Sequence, residues 1–193
     1  MPFQNTIDVL GDEVCFQNIV EKTISNYFDN EIEIIGGRAF QNCSALTTIN
    51  LPAATLIGSY AFQSCSALTT ASLPAVTNIG LDAFNYCRAL TTISMPVATS
   101  IGNYAFQGCS ALTTVSLPAV TYIGRYAFQI CSALTVVCLG NSSVAEMANS
   151  NAFSGASQAI FYVPDSLVEA YKSATNWSYY ASRIKGESEL PAT

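Results

Sequence analysis

Apolar positions recur along this chain with a period that no single helix or strand produces. Over residues 35–140 one block returns every 22 residues, reading Ile-Gly-x-x-Ala-Phe-x-x-Cys-x-Ala-Leu-Thr-x-x-x-Leu-Pro with small changes. Phe40, Phe62, Phe84, Phe106 and Phe128 mark it, as do Cys43, Cys65, Cys87, Cys109 and Cys131. A short fixed period of this kind means a solenoid, because each unit cannot bury its apolar side alone and must stack on its neighbours. Within one unit, Leu112, Val115 and Leu117 follow the L-x-x-L-x-L spacing of a leucine-rich-repeat strand. Alternate side chains of an extended chain face opposite ways, so these three point in while Thr114 and Ser116 point out. Pro118 then ends the strand, having no N–H to donate. The pattern predicts strands at residues 46–51, 68–73, 90–95, 112–117 and 134–139. Val120 and Ile123 resume an inward pattern. Gly124 after them marks backbone that needs either positive φ or close approach.

The repeat decays at both ends, as terminal coils should. After Gly140 three residues are inserted before Ala152-Phe153 echoes Ala127-Phe128, and Ile160-Phe161-Tyr162-Val163-Pro164 echoes a strand and its proline. Ser166 and Glu169 have capping-box spacing, predicting a helix over residues 167–174. A second short helix is expected after Ser178, with Trp177 plugging the open end of the core. Toward the N-terminus, Asp12 caps an amphipathic helix carrying Phe16, Ile19, Val20, Thr23 and Ile24 at helical spacing. The expected fold is an α/β repeat solenoid. It is a right-handed leucine-rich-repeat stack of about five coils over residues 35–140. Residues 1–34 form an N-terminal helical cap, and residues 141–193 a degenerate sixth repeat with a C-terminal helical cap.

Equivalent positions on successive coils form columns. Gln41, Gln63, Asn85, Gln107 and Gln129 make an amide column after the Phe, expected to bond to itself and to turn carbonyls. Thr48, Thr70, Thr92 and Thr114 make a hydroxyl column beside Asn50, Ser72, Ser94 and Ser116. The cysteines make a thiol column. Equivalent side chains point in parallel, which does not suit a disulfide, so they are expected to be reduced, buried and packed as small hydrophobes. There is no histidine and no C-x-x-C, so neither a zinc site nor the commonest general base is on offer. No P-loop, G-x-S-x-G or H-E-x-x-H occurs, and Glu31 with Glu33 reads as solvating charge. Asn42-Cys43-Ser44, Asn141-Ser142-Ser143 and Asn176-Trp177-Ser178 match the glycosylation sequon, read here as accidental.

The chain has 193 residues, is half apolar and has a formal net charge of −6. That composition excludes disorder, and the acidic balance argues against nucleic-acid binding, which needs a basic footprint. Between Gly36 and Gly140 the only ionised types are Arg38, Asp82, Arg88 and Arg125, so the other charges sit at the ends. No apolar run is long enough to span a membrane. The start, MPFQNTIDVLGDEV, has neither a basic segment nor an apolar stretch after it. It therefore reads as a mature chain, a trimmed one, or a protein not exported by the usual route.

Together these residues resemble the BspA-like leucine-rich repeat family, also called the Treponema pallidum type, whose unit is similar to IGxxAFxxCxxLTxVxLPxxVTxIG. The match is clear over residues 32–140 and weaker through Pro164. The closing run Tyr162-Val163-Pro164-Asp165-Ser166-Leu167-Val168, with Trp177 after it, is similar to endings found in gut and oral bacteria. The resemblance implies a secreted or surface protein that adheres to host proteins or other cells, with no catalytic residues and no cofactor. The expected partner is a protein or glycan, with no nucleic acid and no membrane span, and the chain is expected to be a monomer. The competing reading is a structural, self-associating element of a cell surface or phage appendage. Candidate contacts are Tyr60, Tyr104 and Tyr126, which share a column two residues before the Phe, with Tyr86 and Tyr122 nearby. A second candidate lies on the strand face, where Val136, Cys138, Ile160 and Tyr162 replace hydroxyl residues. There the expectation is that residues 167–184 fold back and cover them; an open patch is the alternative.

Overall fold

A computed structural model describes residues 6–7 and 32–191 of the protein. The expected amphipathic helix of residues 16–24 and its Asp12 cap lie outside the described residues.

The strands are β1 (Thr6–Ile7), β2 (Ile34–Ile35), β3 (Thr48–Asn50), β4 (Leu56–Ile57), β5 (Thr70–Ser72), β6 (Asn78–Ile79), β7 (Thr92–Ser94) and β8 (Ser100–Ile101). They continue with β9 (Thr114–Leu117), β10 (Tyr122–Ile123), β11 (Val136–Leu139), β12 (Glu146–Met147), β13 (Ile160–Val163) and β14 (Ile184–Gly186). All the strand pairs are parallel, and they form two walls. One wall is β1-β2-β4-β6-β8-β10-β12. The other is built of β3-β5-β7 and β9-β11-β13-β14, with β7 lying next to β9. Strand-to-strand register follows the repeat: Thr48 faces Thr70, which faces Thr92, and Val136 faces Ile160. Register is kept through the insertion after Gly140, where the buried Asn141 donates from Nδ2 to the Val120 carbonyl.

The expected strands form at the expected places but are shorter, three or four residues each. The leucine that opens each motif, such as Leu112, points into the core from a turn and not from the ladder. The two-residue strands of the other wall were foreshadowed only by the inward Val120 and Ile123. Two residues are too few to show alternation.

Between the walls, every Phe of the repeat is buried and the rings stack in parallel. Neighbouring centroids from Phe40 to Phe153 are 5.1–5.3 Å apart with interplanar angles of 1–11°. That spacing matches the distance between adjacent parallel strands, so ring stacking and ladder pairing are satisfied together. The glycine that ends each short strand explains how coils come so close. A Cβ on Gly102 would lie 2.7 Å from the carbonyl carbon and oxygen of Gly80, and one on Gly124 would lie 2.5 Å from the Asn103 nitrogen. Close approach is thus the requirement there, and positive φ falls elsewhere in the coil.

The C-terminal segment departs from the expected caps. A 3-10 turn at Asp165–Leu167 leads into α1 (Val168–Ser173), and a second 3-10 segment spans Trp177–Arg183. No side chain caps α1: Glu169 pairs with Lys172 at 2.9 Å, so the Ser166–Glu169 spacing does not act as a capping box. Trp177 is fully buried, donates from Nε1 to the Ala145 carbonyl at 2.7 Å, and closes the core as expected.

Candidate functional site

Each coil turns around its Phe through two residues with left-handed backbone. One column is Arg38, Tyr60, Asp82, Tyr104 and Tyr126, with φ of 53–62°. The other is Asn42, Ser64, Tyr86, Gly108 and Ile130, with φ of 57–73°. Between them, alternate backbone N–H groups aim at the next coil. Those of Tyr60, Phe62 and Ser64 donate to Leu81, Ala83 and Asn85 carbonyls at 2.7–2.8 Å. A left-handed conformation costs a side-chain-bearing residue about 1–2 kcal/mol relative to glycine or asparagine. Tyrosine at four such positions, Tyr60, Tyr86, Tyr104 and Tyr126, is therefore no backbone choice.

The structure brings some candidate tyrosines together and separates others. Tyr104 and Tyr126 stack at 5.1 Å with a 12° interplanar angle. The Arg38 guanidinium lies 5.3 Å from the Tyr60 ring centre. All three tyrosines are half-buried, and Tyr104 and Tyr126 lie face to face. Tyr86 belongs to the second left-handed column and is 40% exposed. Its ring lies over Gly108, where a Cβ would come within 2.5 Å of a ring carbon, and Arg88 sits 5.4 Å from its centre. Tyr122 is on neither column: it lies in β10, between Ser100 and Glu146 on the other wall.

The amide column bonds to itself as expected. Gln41 Nε2 donates to Gln63 Oε1 at 2.5 Å, Asn85 Nδ2 to Gln107 Oε1 at 3.0 Å, and Gln107 Nε2 to Gln129 Oε1. Asn85, one carbon shorter, interrupts the ladder, and its Oδ1 is buried without a hydrogen-bond partner. Its Nδ2 also donates to Asp82 Oδ1 at 2.5 Å. Burial pushes the Asp82 carboxyl above its ordinary range, and the bond from Asn85 partly opposes that.

The thiol column is buried, with one refinement. Sγ of Cys65, Cys87, Cys109 and Cys131 donates to the carbonyl of the Phe one coil earlier, at 3.0–3.2 Å. Burial pushes Cys87 and Cys131 up to about 12 and raises Cys109 as well. These thiols are core groups that also tie coil to coil.

The strand-face candidates do not form an open patch. Tyr162 is only 7% exposed, and Val136, Cys138 and Ile160 are half-buried. The cover differs in kind from a folded-back helix: β14 pairs with β13 and sets Lys185 opposite Tyr162. Elsewhere most of the threonines that flank the strands spend their hydroxyls on the previous coil. Thr69 donates to Thr47 O, Thr91 to Thr69 O and Thr135 to Thr113 O, at 2.9–3.2 Å. Thr55, Thr77, Thr99 and Thr121 do the same on the other wall at 3.1–3.2 Å. Sequence reasoning passed over Ile130, 48% exposed, and Tyr179, 76% exposed. Ile130 could have been found from its place in the Asn42–Ser64–Tyr86 column. Tyr179 follows no repeat and gave no signal. Two of the three sequons are occupied structurally: Asn141 is buried, and Asn176 donates to the Met147 carbonyl.

Among the described residues, no helix is long and apolar enough to cross a membrane. No curated protein matches the chain. Solved structures do. A leucine rich cell surface protein from Faecalibacterium prausnitzii is 30% identical over 59% of this chain and 38% of its own, with a TM-score of 0.50. A leucine-rich repeat protein from Bacteroides ovatus is 27% identical over 70% of this chain and 44% of its own, also at 0.50. The chain thus spans less than half the length of both. The T. pallidum leucine rich repeat protein shares the fold over 86% of this chain and 84% of its own, with a TM-score of 0.65 at 24% identity. The profile described as the BspA type leucine rich repeat region matches residues 12–135 and 55–182 in six copies. With its phenylalanine, glycine and cysteine columns each built by that repeat, the chain belongs to the BspA-type leucine-rich repeat family.

Proposed function

We propose that the chain is a non-catalytic binding module that recognises a protein or glycan through its repeat surface, acting in adhesion or recognition at a bacterial surface or after secretion. The observation that carries this reading is the tyrosine column. Tyr60, Tyr104 and Tyr126 hold left-handed backbone that disfavours them, and all three remain partly exposed. Tyrosine combines large contact area with one polar tip, which suits recognition surfaces. Tyr86 extends the surface on the neighbouring column, and Tyr122, Val136 and Ile160 are secondary contacts on the two walls. Tyr162, buried, supports the sheet behind them. The same reading takes the stack as a right-handed monomer, with residues 1–34 and 141–193 as end units to a body of five coils.

The test compares the wild-type chain with Tyr60→Ala/Tyr104→Ala/Tyr126→Ala on a glycan array and on immobilised extracellular-matrix proteins, after circular dichroism shows both folded. Binding by the wild type that the triple variant loses supports the reading. Equal binding by both, or binding by neither, overturns it. A stable oligomer or polymer in light scattering would favour the structural, self-associating alternative.

A further inference from the structure

We propose that the turn arc around the Phe column is the ligand face, and that its ligand is an extended anionic polysaccharide bearing carboxylate or sulfate groups. This deepens the binding-module reading and rests on it.

The argument is one of charge and unspent donors. The chain as a whole is acidic, yet the repeat body carries Arg38, Arg88 and Arg125 against Asp82 alone. Arg38, Asp82 and Arg125 stand on the arc between the end of one short strand and the cysteine that follows it, and Arg88 comes directly after that cysteine, beside Tyr86 of the second left-handed column. The three arginines are exposed, and none forms an ion pair among the described residues, where Lys172–Glu169 and Lys185–Glu189 account for the salt bridges. The guanidinium carbons of Arg38 and Arg88 lie 5.3 and 5.4 Å from the Tyr60 and Tyr86 ring centres, a cation–π contact that does not use their N–H donors. Asp82, half-buried and bonded to Asn85, offsets only one of the three arginines.

The donors of the arc are likewise uncommitted. Among the described residues no hydrogen bond uses the hydroxyls of Tyr60, Tyr86, Tyr104 or Tyr126, whereas the flanking threonines of both walls are bonded to the previous coil. One ring face of Tyr104 and one of Tyr126 are spent on each other. What the arc presents is therefore a rim of O–H and guanidinium donors, which matches anionic oxygens better than a neutral sugar face that needs an open ring to stack on. The arginines sit on alternate coils, the first, third and fifth. A long polymer with charges along its length can meet arginines on successive alternate coils, which a ligand confined to one coil cannot.

The experiment measures binding of the full chain to dextran sulfate, to polygalacturonate and to neutral dextran of matched length, at two salt concentrations. The inference expects binding to one or both charged polymers, weakening with salt, and none to neutral dextran. Dextran sulfate against polygalacturonate distinguishes sulfate from carboxylate as the recognised group. Arg38→Gln/Arg88→Gln/Arg125→Gln should weaken binding about tenfold or more. Lys172→Gln/Lys185→Gln, which removes cations off the arc, should change it less than about twofold. Tyr104→Phe, which keeps the stack and removes a hydroxyl, should weaken it several-fold. Equal affinity for neutral dextran, no loss in the triple arginine variant, or equal loss in the off-arc variant overturns the inference while leaving a binding module in place. Absence of binding to all three polymers also overturns it, and the array and matrix-protein test above then decides separately whether any recognition remains.

Discussion

The repeat body and the C-terminal segment solve opposite problems with the same residue types. In the body, like stacks on like: Phe on Phe within 11° of parallel, amide on amide, thiol to the carbonyl one coil back. Each layer satisfies the one before it and leaves the same demand for the next. The C-terminal segment must end that demand, and it does so by turning rings edge-on. Phe161 meets Phe153 at 75°, Tyr180 meets Phe153 at 88°, and Trp177 meets Phe161 and Tyr171 at 83° each. Arg183 adds a pin, donating from one guanidinium nitrogen to the Ala156, Ser157 and Ala159 carbonyls at 2.7–3.4 Å while lying over Phe161 and Tyr180. Parallel stacking propagates, and crossed packing terminates.

The sharpest break in the comparison comes from glycine. In the body, a Cβ on Gly102 meets backbone atoms of Gly80 at 2.7 Å, and backbone cannot swing aside. Gly102→Val should remove the folded state, a loss of about 5 kcal/mol or more. At Gly140, where the repeat gives way to the end region, the exposed position meets Pro118 Cα at 3.1 Å and can relax. Gly140→Ala should cost only about 1 kcal/mol. Urea denaturation of the two variants checks both, and similar losses would mean that coil contact is not what the glycines serve.

Phe106→Ala comes next, at about 3–5 kcal/mol. Phe106 stacks on Phe84 and Phe128, so the void is shared by three coils, and the whole stack should melt earlier in one transition. A melting curve unchanged within about a degree would show that the ring contributes little to a cooperative core.

These two variants also mark what was legible in the sequence. The Phe, Cys and Gly columns were readable because the repeat forces equivalent residues into equivalent places. The self-bonded amide column followed from the same logic. The short strands of the second wall were not readable, since Leu56–Ile57 or Tyr122–Ile123 gives no alternation to detect. The left-handed residues were hidden because Tyr60, Tyr104 and Ile130 are residues that φ preference argues against. Only the hydrogen bonds between coils reveal the demand. The Ser166–Glu169 spacing predicts a capped helix in the C-terminal segment, but Pro164 and the turn at Asp165–Leu167 delay the helix past Ser166. The candidate contacts were legible as a column, yet Tyr122 and Tyr162 fell on other surfaces, which spacing within one unit does not separate.

Arg183→Gln should act on one side of the comparison only. It removes donors to three carbonyls and a cation over two rings, a loss of about 1–3 kcal/mol confined to the C-terminal segment. Hydrogen exchange should speed at Trp177 and Tyr180 and stay slow at Phe84 and Phe106. Uniform acceleration would mean that the end and the body open as one unit.

The thiol column gives a pH-dependent test of the body. Cys87 and Cys131 rise from an ordinary 9.0 to about 12 in the folded chain. Above about pH 9 the unfolded chain loses these protons while the folded chain keeps them, so stability is flat below that pH and falls as pH rises toward 12. Cys109→Ala/Cys131→Ala should flatten the fall even though it lowers stability at neutral pH. Native thiol labelling of Cys87 should be slow until denaturant is added. Rapid labelling, or an unchanged alkaline slope in the double variant, would show that the column is open to solvent.

The smallest effect is expected where the body repeats a bond that water can replace. Thr99 Oγ1 donates to the Thr77 carbonyl at 3.2 Å, both residues are exposed, and the same bond recurs above and below. Thr99→Val keeps the shape and removes the hydroxyl. The orphaned carbonyl still accepts the Thr99 backbone N–H at 2.8 Å and faces solvent, so no buried acceptor is left unsatisfied. The loss should be about 0.5 kcal/mol or less, and valine's preference for extended backbone offsets part of it. Set beside Arg183→Gln, which also removes side-chain bonds to carbonyls, the two variants separate repetition from burial as sources of strength. If Thr99→Val costs as much as Arg183→Gln in urea denaturation, each rung of a ladder must strengthen its neighbours, and the body would be held by coupled polar columns as much as by its aromatic core. If it costs little, the threonine ladders serve mainly to occupy hydroxyls on both walls, and the uncommitted donors of the turn arc stand out as the exception.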